Sequence, residues 1–305
     1  MIDVNNAVDG FRQAITAAGL EAPDVIHDDG AIHRFSPSGR RGGLSAWYVL
    51  HSDGVAAGSF GCWRAGLQST WCAKSDNAMT AAEREAHRQR IKAMKAQRDE
   101  AEAARCTDEA DKAAIRWCGA LSACAHPYLA RKGIRAYGIR QDGQTLLIPL
   151  RDTAGKLHSL QTITPDGEKR FKGRMKGCYH AIGRKPGDLL VIAEGYATCA
   201  SIHEATGWPV AVAFTAGNLG PVAMALHKAY PVLTLVMAAD DDHQTDGNPG
   251  LTAAKQTALA VGGFVVVPQF PADRPPKATD FNDLAAIAGL SAVRACFSEI
   301  EVLSC

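Results

Sequence analysis

The sequence lacks several features that define large classes of proteins. It contains no apolar run near the roughly 20 residues that are needed to span a bilayer. Its N-terminus has no basic region followed by an apolar core, so we expect no signal peptide, no membrane contact and a cytoplasmic location. The phosphate-binding motif GxxxxGKS/T is absent as well, which argues against a P-loop helicase within these residues.

Cysteine spacing and net charge exclude further classes. The 9 cysteines are an odd number, and none of them belongs to a CxxC pair. A disulfide framework and a four-cysteine zinc site are therefore not expected. The formal net charge is only +1, whereas nucleic-acid-binding domains are often strongly basic. Any contact with nucleic acid must therefore come from a local cluster of charge.

The first third of the chain divides into segments of different character. Residues 1 to about 20 have helical periodicity. Residues 31–73 hold short aromatic and β-branched runs with turn signals such as Ser52-Asp53-Gly54, which predicts a small antiparallel β unit. Residues 79–120 are rich in helix formers and in opposite charges at helical spacing, and Thr80 with Glu83 makes a capping box, so we predict a long solvated helix.

From residue 188 the chain alternates between strands and helices. The runs LLVIA, VAVAF, LTLVM and FVVV are continuously apolar, as in a parallel sheet that is covered on both faces. Glu194 follows the first strand directly, and Asp240, Asp241 and Asp242 follow the third. Because the carboxyl ends of parallel strands share one edge of the sheet, we expect these carboxylates to meet there.

The Asp-x-Asp spacing favours a metal site. Side chains at i and i+2 point the same way in an extended chain, so Asp240 and Asp242 repel each other unless a cation offsets their charge. Carboxylate oxygens suit Mg²⁺ or Mn²⁺, and such an ion stabilises charge in phosphoryl transfer. The alternative for a single Asp after a strand is a helix N-cap, and Glu-Gly alone is a weak motif. The ordered combination of strand-Glu-Gly and strand-Asp-x-Asp is much more specific.

In this order, the features resemble a Toprim domain, which occurs in bacterial-type primases, topoisomerases, some nucleases and some DNA-repair proteins. The resemblance implies that Glu194 is a general acid/base or metal ligand and that Asp240 and Asp242 bind Mg²⁺ (or Mn²⁺). It also implies that small or polar residues support the site, and these are Gly195, Gly217 and Asn218.

The segment ATDFNDL at 278–284 is similar to the element that closes the Toprim domains of phage primases. This similarity makes Asp280 an additional candidate metal ligand. The alternative is that Asp280 or Asn282 caps the N-terminus of a helix.

Residues 126–183 resemble the half-domain that precedes Toprim in phage and plasmid primases, where it forms a basic wall beside the metal site. Cations cluster between 169 and 185 without an acid, and Phe171 and Tyr179 lie among them. Such a stripe suits a single-stranded backbone with stacked bases, and the alternative is a solvated basic loop. The candidate nucleic-acid and nucleotide contacts are Lys169, Arg170, Lys172, Arg174 and Lys176.

The N-terminal β unit occupies the place of the zinc ribbon with which such primases often begin. Of the four ligands that a structural zinc ion needs, it keeps only two cysteines, Cys62 and Cys72. His33 and His51 would have to supply the other two. We therefore expect a degenerate ribbon and no zinc. Its tryptophans, Trp63 among them, are expected to be core residues, with base stacking as the alternative.

The resulting prediction is an α/β protein. A Toprim domain, with a parallel sheet flanked by helices, follows a mixed α+β primase half-domain and a small N-terminal β unit. The predicted bounds are 1–75 for the N-terminal unit, 76–120 for the helical linker, 121–187 for the half-domain and 188–305 for the Toprim domain.

The predicted function is that of a DNA primase, a nucleotidyltransferase that makes short RNA primers in DNA replication of a phage or plasmid. Its partners would be single-stranded DNA and ribonucleoside triphosphates, with a separate replicative helicase as a further candidate. The alternatives are a Toprim nuclease, which would use the same acids, and a non-catalytic single-stranded DNA-binding protein. A topoisomerase is disfavoured, since the sequence shows no second domain to hold a catalytic tyrosine.

Overall fold

The computed structural model describes residues 4–38, 44–52, 55–62, 65–74 and 80–303. The chain forms two compact units, Met1–Glu100 and Ala101–Cys305. The long helix α2 (Ala81–Gly119) lies where the sequence predicts it and contributes residues to both. The predicted turn at Asp53-Gly54, Trp63 and the side chain of Glu83 lie outside the described part of the chain.

The first unit packs helix α1 (Val4–Ala17) against an antiparallel sheet in the order β1-β2-β3-β4. Along β2 the residues alternate between buried and half-exposed, as expected for a sheet with one covered face. Phe11 of α1 makes edge-to-face contacts with the rings of Tyr48, Phe60 and Trp71, and these rings form the core. The strands are β1 (His33–Phe35), β2 (Ala46–His51), β3 (Ala57–Cys62) and β4 (Leu67–Cys72).

Strand register separates the cysteines of this unit. Cys62 pairs with Leu67 at one end of the β3–β4 ladder, and Cys72 pairs with Ala57 at the other end. Five residues of strand span about 17 Å, so Cys62 and Cys72 cannot bind one zinc ion together.

The second unit begins with an antiparallel sheet in the order β5-β6-β7-β8-β9. Its central strands are buried on both faces: Ile148 and Ile163 pack toward the C-terminal core, while Leu147 and Leu160 pack with Trp117 of α2. Helix α3 (Pro127–Lys132) is capped by the His126 side chain and ends at Gly133 in the left-handed conformation. The strands are β5 (Leu121–Ser122), β6 (Arg140–Asp142), β7 (Thr145–Arg151), β8 (Leu157–Ile163) and β9 (Lys169–Phe171).

The C-terminal sheet has the order β10-β12-β11-β13-β14. Strands β11 to β14 are parallel, which confirms the predicted α/β arrangement, and β10 adds an antiparallel edge. Alternate residues of β11 point to opposite faces of the sheet, so that Val191 packs in one hydrophobic core and Ile192 in another. The strands are β10 (His180–Ile182), β11 (Leu189–Ala193), β12 (Val210–Val212), β13 (Thr234–Ala238) and β14 (Phe264–Val266).

Helices cover both faces of this sheet. They are α4 (Tyr196–Thr206), α5 (Ala216–Ala229), α6 (Pro249–Val261), α7 (Phe281–Ala295) and α8 (Ser298–Leu303). Among the described residues, no helix combines the length and the apolar character that crossing a membrane requires. Because β11 and β13 pair in parallel, their carboxyl ends lie side by side at one edge of this sheet.

Candidate functional site

Glu194 lies at the carboxyl end of β11, where the chain leaves the sheet for α4. Its main-chain carbonyl accepts a hydrogen bond from the N–H of Phe214 at 2.7 Å, which joins the ends of β11 and β12. Its carboxylate accepts a hydrogen bond from the N–H of Ala216 in the first turn of α5. Phe214 has a φ of 72°, a conformation that is strained for a bulky residue. The turn that holds Glu194 is thus unusually constrained.

The three consecutive aspartates after β13 have different partners. Arg274 Nη1 donates a hydrogen bond to Asp241 Oδ2 at 2.5 Å, and Asn248 Nδ2 donates to Asp241 Oδ1 at 2.7 Å. Burial opposes ionisation of Asp241, but these hydrogen bonds outweigh it and lower the pKa of Asp241. Asp241 is therefore held by the protein, whereas Asp240 and Asp242 remain available to a ligand.

The first turn of α6 fits closely against this loop. The N–H of Gly250 donates to Asp242 Oδ2 at 3.3 Å, and the N–H of Asp242 donates to Asn248 Oδ1 at 3.0 Å. A Cβ atom on Gly250 would lie 2.8 Å from the carbonyl oxygen of Asp240 and 3.1 Å from Asp242 Oδ2. Only glycine therefore allows α6 to approach both aspartates this closely.

Asp280 belongs to the same acidic cluster and is also a helix cap. Its Oδ1 accepts the N–H of Asp283 at 2.8 Å, which caps α7, and its Oδ2 accepts the hydroxyl of Thr198 at 3.1 Å. Burial raises the pKa of Asp280, and the nearby carboxylate of Asp283 raises it further. Asp280 is therefore the N-cap of α7, and its role as an additional metal ligand stays a prediction.

Glu194, Asp240, Asp242 and Asp280 act electrostatically on one another. Burial raises the pKa of Asp240 to about 8, and the carboxylates of the other three contribute to the rise. Burial also raises the pKa of Glu194, with further contributions from Asp242 and Asp280, while Lys169 opposes the rise. At the edge where β11 and β13 end side by side, these carboxylates are therefore near enough to influence one another's ionisation.

The donors of this cluster fit a hard divalent cation. Within the described part of the chain, the buried Oδ1 of Asp240 has no hydrogen-bond partner. A buried, unpartnered carboxyl among other acids is destabilised when it is ionised, and a bound cation would offset that destabilisation. No three His, Cys, Asp or Glu side chains in the described ranges are arranged as a ready-made metal-binding group. Mg²⁺ usually takes only one or two carboxylates together with phosphate oxygens and water, and Asp240 and Asp242 offer donors of this kind.

The three predicted supporting residues have different surroundings. A Cβ atom on Gly195 would lie 3.2 Å from Thr198 Oγ1, so the start of α4 is tightly packed. Gly217 has open space around it and lies in the first turn of α5. Asn218 is buried and donates hydrogen bonds to the carbonyls of Cys178 and Ala213 at 3.0 and 2.8 Å. Asn218 therefore joins the loop before β10 to the end of β12.

The predicted basic wall is spread over more than one surface. Lys169 and Arg170 are neighbours in β9, an edge strand, so their side chains point to opposite faces. The charge of Lys169 reaches Glu194 and lowers its pKa. Arg170 pairs with Glu168 at 2.7 Å and lines a groove beside α2 together with Lys172. Arg174 and Lys176 lie in the exposed loop beyond β9.

Sequence reasoning missed several residues that shape the site. Asn248 before Pro249 is a recognisable signal for a helix start, although nothing in it indicates contact with Asp241 and Asp242. Gly250 and Arg274 carry no sequence signal, since their importance depends on which loops α6 and the 271–279 segment approach in the fold.

Two solved structures of primases align with parts of this chain. The primase fragment of the bacteriophage T7 primase-helicase protein aligns over 57% of this chain and 78% of its own, with 18% identity and a TM-score of 0.42. The Aquifex aeolicus primase, with its zinc-binding and RNA polymerase domains, aligns over 84% of this chain and 79% of its own, with 13% identity and a TM-score of 0.44.

Two Escherichia coli proteins, each named DNA primase TraC, are similar in sequence. One is 43% identical over 157 residues, covering 47% of this chain and 15% of the relative. The other is 42% identical over 174 residues, covering 53% of this chain and 12% of the relative. The alignments therefore span only a small part of these much longer proteins.

Residues 189–290 match the model of the Toprim domain family. This range includes Glu194, Asp240, Asp242 and Asp280, and it coincides with the parallel sheet and the helices that cover it. The C-terminal part of the chain is therefore a Toprim domain, in a protein related by sequence to DNA primases.

Proposed function

We propose that this chain contains the catalytic part of a DNA primase, which makes short RNA primers on single-stranded DNA from ribonucleoside triphosphates. The observation that carries the proposal is the convergence of Glu194, Asp240 and Asp242 at one edge of the Toprim sheet, with the cationic Lys169 close enough to act on Glu194. The sequence relatives named DNA primase support the same activity.

In the proposed reaction, the 3′-hydroxyl of the primer attacks the α-phosphate of the incoming nucleotide, and pyrophosphate leaves. Asp240 and Asp242 would hold Mg²⁺ (or Mn²⁺), which supplies positive charge for the phosphates when it is bound. Glu194 would accept the proton of the 3′-hydroxyl on its carboxylate, because its raised pKa makes it a better base than an exposed glutamate.

The remaining residues would hold the site and the strands in position. Arg274 and Asn248 fix Asp241, and this contact orients the aspartates on either side of it. Lys169 would bind a phosphate of the template or primer beside the acids, as expected for an exposed cation on an edge strand. Single-stranded DNA and ribonucleoside triphosphates would thus be the ligands of this chain, and a separate helicase is a further candidate partner.

Primer synthesis tests the proposal directly. The protein would be incubated with single-stranded DNA, Mg²⁺ or Mn²⁺ and labelled ribonucleoside triphosphates, beside an Asp240→Ala/Asp242→Ala variant. Asp246→Ala is the matched control, because Asp246 is an exposed carboxylate in the same loop. We expect short labelled oligomers from the wild type and the control and none from the double variant. Cleavage of the DNA, or binding without any product on several templates, would contradict the primase assignment and favour a nuclease or a binding protein.

A further inference from the structure

A groove of about 240 Å³ lies between α2 and the β8–β9 hairpin of the second unit. Four cations line it: Lys112 and Arg116 come from α2, and Arg170 and Lys172 come from β9 and the residue after it. The lining includes one carboxylate, that of Glu109. Phe171 also lines it and keeps 43% of its surface exposed, which is unusual for a large apolar side chain.

This groove lies on the face of the sheet opposite the acidic cluster. In the register of β8 and β9, Lys169 pairs with Ile163, and Arg170 pairs with Thr162. Ile163 packs in the core shared with the Toprim sheet, whereas Leu160, two residues before Thr162, packs against α2. The edge strand β9 therefore presents cations to both faces, with Lys169 toward Glu194 and Arg170 toward α2.

Ion pairs with neighbouring acids still leave these cations able to bind phosphate. Lys112 pairs with Asp108 at 2.6 Å, Arg116 with Asp142 at 2.7 Å and Arg170 with Glu168 at 2.7 Å. All three pairs are exposed, and such pairs are weak. Lys112 also pairs at 3.2 Å with Glu109, whose side chain is 20% exposed. Each guanidinium has five N–H donors and uses one or two of them here, so donors remain for a phosphate. Among the described residues, Lys172 has no ion pair.

We propose that this groove is a second binding site for single-stranded DNA, which passes around the β9 edge from the acidic cluster to the face covered by α2. Phosphates would contact Arg116, Arg170 and Lys172 in the groove, and a base would stack on Phe171 at the β9 edge, where the strand register places it on the same face as Lys169. The choice of single-stranded DNA as the partner rests on the proposed function. The combination of an exposed aromatic ring with several cations along a groove is what sequence-independent single-strand binding requires.

The dimensions of the groove favour a polymer over a free nucleotide. Sites that enclose a whole small ligand usually measure about 300–1,000 Å³ and bury most of its surface. This groove is smaller and open to solvent, so it accommodates one base or sugar-phosphate of a longer strand. A strand held on both faces of β9 would also be kept from sliding away from the acids between successive nucleotide additions.

The test measures binding of a fluorescent oligothymidylate by anisotropy at several salt concentrations. The groove variant is Arg116→Gln/Lys172→Gln, and the control is Lys228→Gln/Lys255→Gln, which removes the same charge from exposed positions on α5 and α6. Each phosphate contact on a single strand contributes about 0.7 to the slope of log K against log salt, so the groove variant should lose about 1.4. Phe171→Ala should weaken binding roughly tenfold, and Phe171→Trp should retain it.

Charge-retaining and single variants separate binding from folding. Arg116→Lys/Lys172→Arg should keep the wild-type slope. Lys172→Gln alone changes one exposed side chain and should lower the slope by about half as much as the double variant does. Equal slopes for the groove variant, the control and Lys172→Gln would overturn the inference. If the wild-type protein and the variants bind with the predicted slopes but the wild type makes no primer, the proposed function is contradicted. The groove would then still be a binding site for single-stranded DNA. If the protein makes primers but every groove variant binds DNA as the wild type does, only the assignment of the groove as a DNA-binding site is overturned.

Discussion

Arg274 and Asp241 form an ion pair that joins the two loops that carry the acidic residues. Nη1 of Arg274 lies 2.5 Å from Asp241 Oδ2, and the two side chains are only 17% and 20% exposed. The same guanidinium donates to the carbonyl of Asp241 at 2.9 Å and to the carbonyl of Ala278 at 2.8 Å. The loop after β13 is thereby tied to the loop before α7, so Asp240, Asp242 and Asp280 are held together despite their repulsion.

Loss of Arg274 should loosen the acidic cluster. Arg274→Gln leaves Asp241 without its cationic partner, and outer residues that orient metal ligands typically contribute 10- to 100-fold in metal affinity, so we expect a loss of about that size. Isothermal titration with Mn²⁺ measures it. Arg135→Gln, which breaks the contact of the exposed Arg135 side chain with Glu204 at 3.5 Å, should leave the affinity unchanged. Equal affinities for both variants would contradict a positioning role for Arg274.

Two glycines in first turns of helices should respond differently to the same change. Gly250→Ala places a Cβ atom 2.8 Å from the carbonyl oxygen of Asp240 and must displace the aspartate loop or α6. Gly217→Ala meets nothing within 4 Å, and alanine favours the helix by about 1 kcal/mol over glycine. We expect Gly250→Ala to lower the melting temperature and Mn²⁺ affinity, and Gly217→Ala to raise or preserve both. A harmful Gly217→Ala would instead support the role that the Toprim resemblance assigns to Gly217.

The stability of the metal-free protein should fall as the pH rises. The pKa of Asp240 is raised from 3.8 to about 8 in the folded state. Its stabilising contribution is therefore fully present below pH 3.8, the unfolded value, and is lost as the pH rises through about 8. Asp240→Asn cannot ionise, so its melting temperature in EDTA should exceed that of the wild type at pH 8 by more than at pH 5. A difference that does not change with pH would contradict the raised pKa.

Lys169 should control the titration of Glu194. Because the charge of Lys169 lowers the pKa of Glu194 against the effect of burial, Lys169→Gln should raise that pKa. Nuclear magnetic resonance of the Glu194 carboxyl carbon in the metal-free protein measures the titration. Arg170→Gln is the matched control, since Arg170 points to the other face of the sheet. Identical midpoints of the Glu194 titration in both variants would show that Lys169 does not act on Glu194.

The sequence was sufficient to predict the parts of the fold that follow from hydrophobic periodicity. The apolar strands β11 and β13, each followed by acids, required a buried parallel sheet, and strand polarity then required Glu194 and Asp240 to meet. The composition of residues 79–120 likewise predicts the long helix α2.

Other features depend on contacts between distant segments and could not be predicted. The sequence suggests one basic wall from Lys169 to Lys176, but the register of β9 sends Lys169 and Arg170 to opposite faces. The middle aspartate, Asp241, differs from its neighbours only because Arg274, 33 residues later, folds against it. The close fit of Gly250 likewise requires the position of α6 relative to the Asp240 loop.

The most direct test of the central claim is extension of a preformed RNA primer on a DNA template by one labelled ribonucleotide, which removes any dependence on a template trigger sequence. The wild type and Asp246→Asn should extend the primer in Mg²⁺, while Asp240→Asn, which keeps the size of the side chain, should lose at least about 100-fold in rate. Equal extension by the wild type and Asp240→Asn, or no extension by the wild type with any metal, would contradict the assignment of this acidic cluster to nucleotidyl transfer.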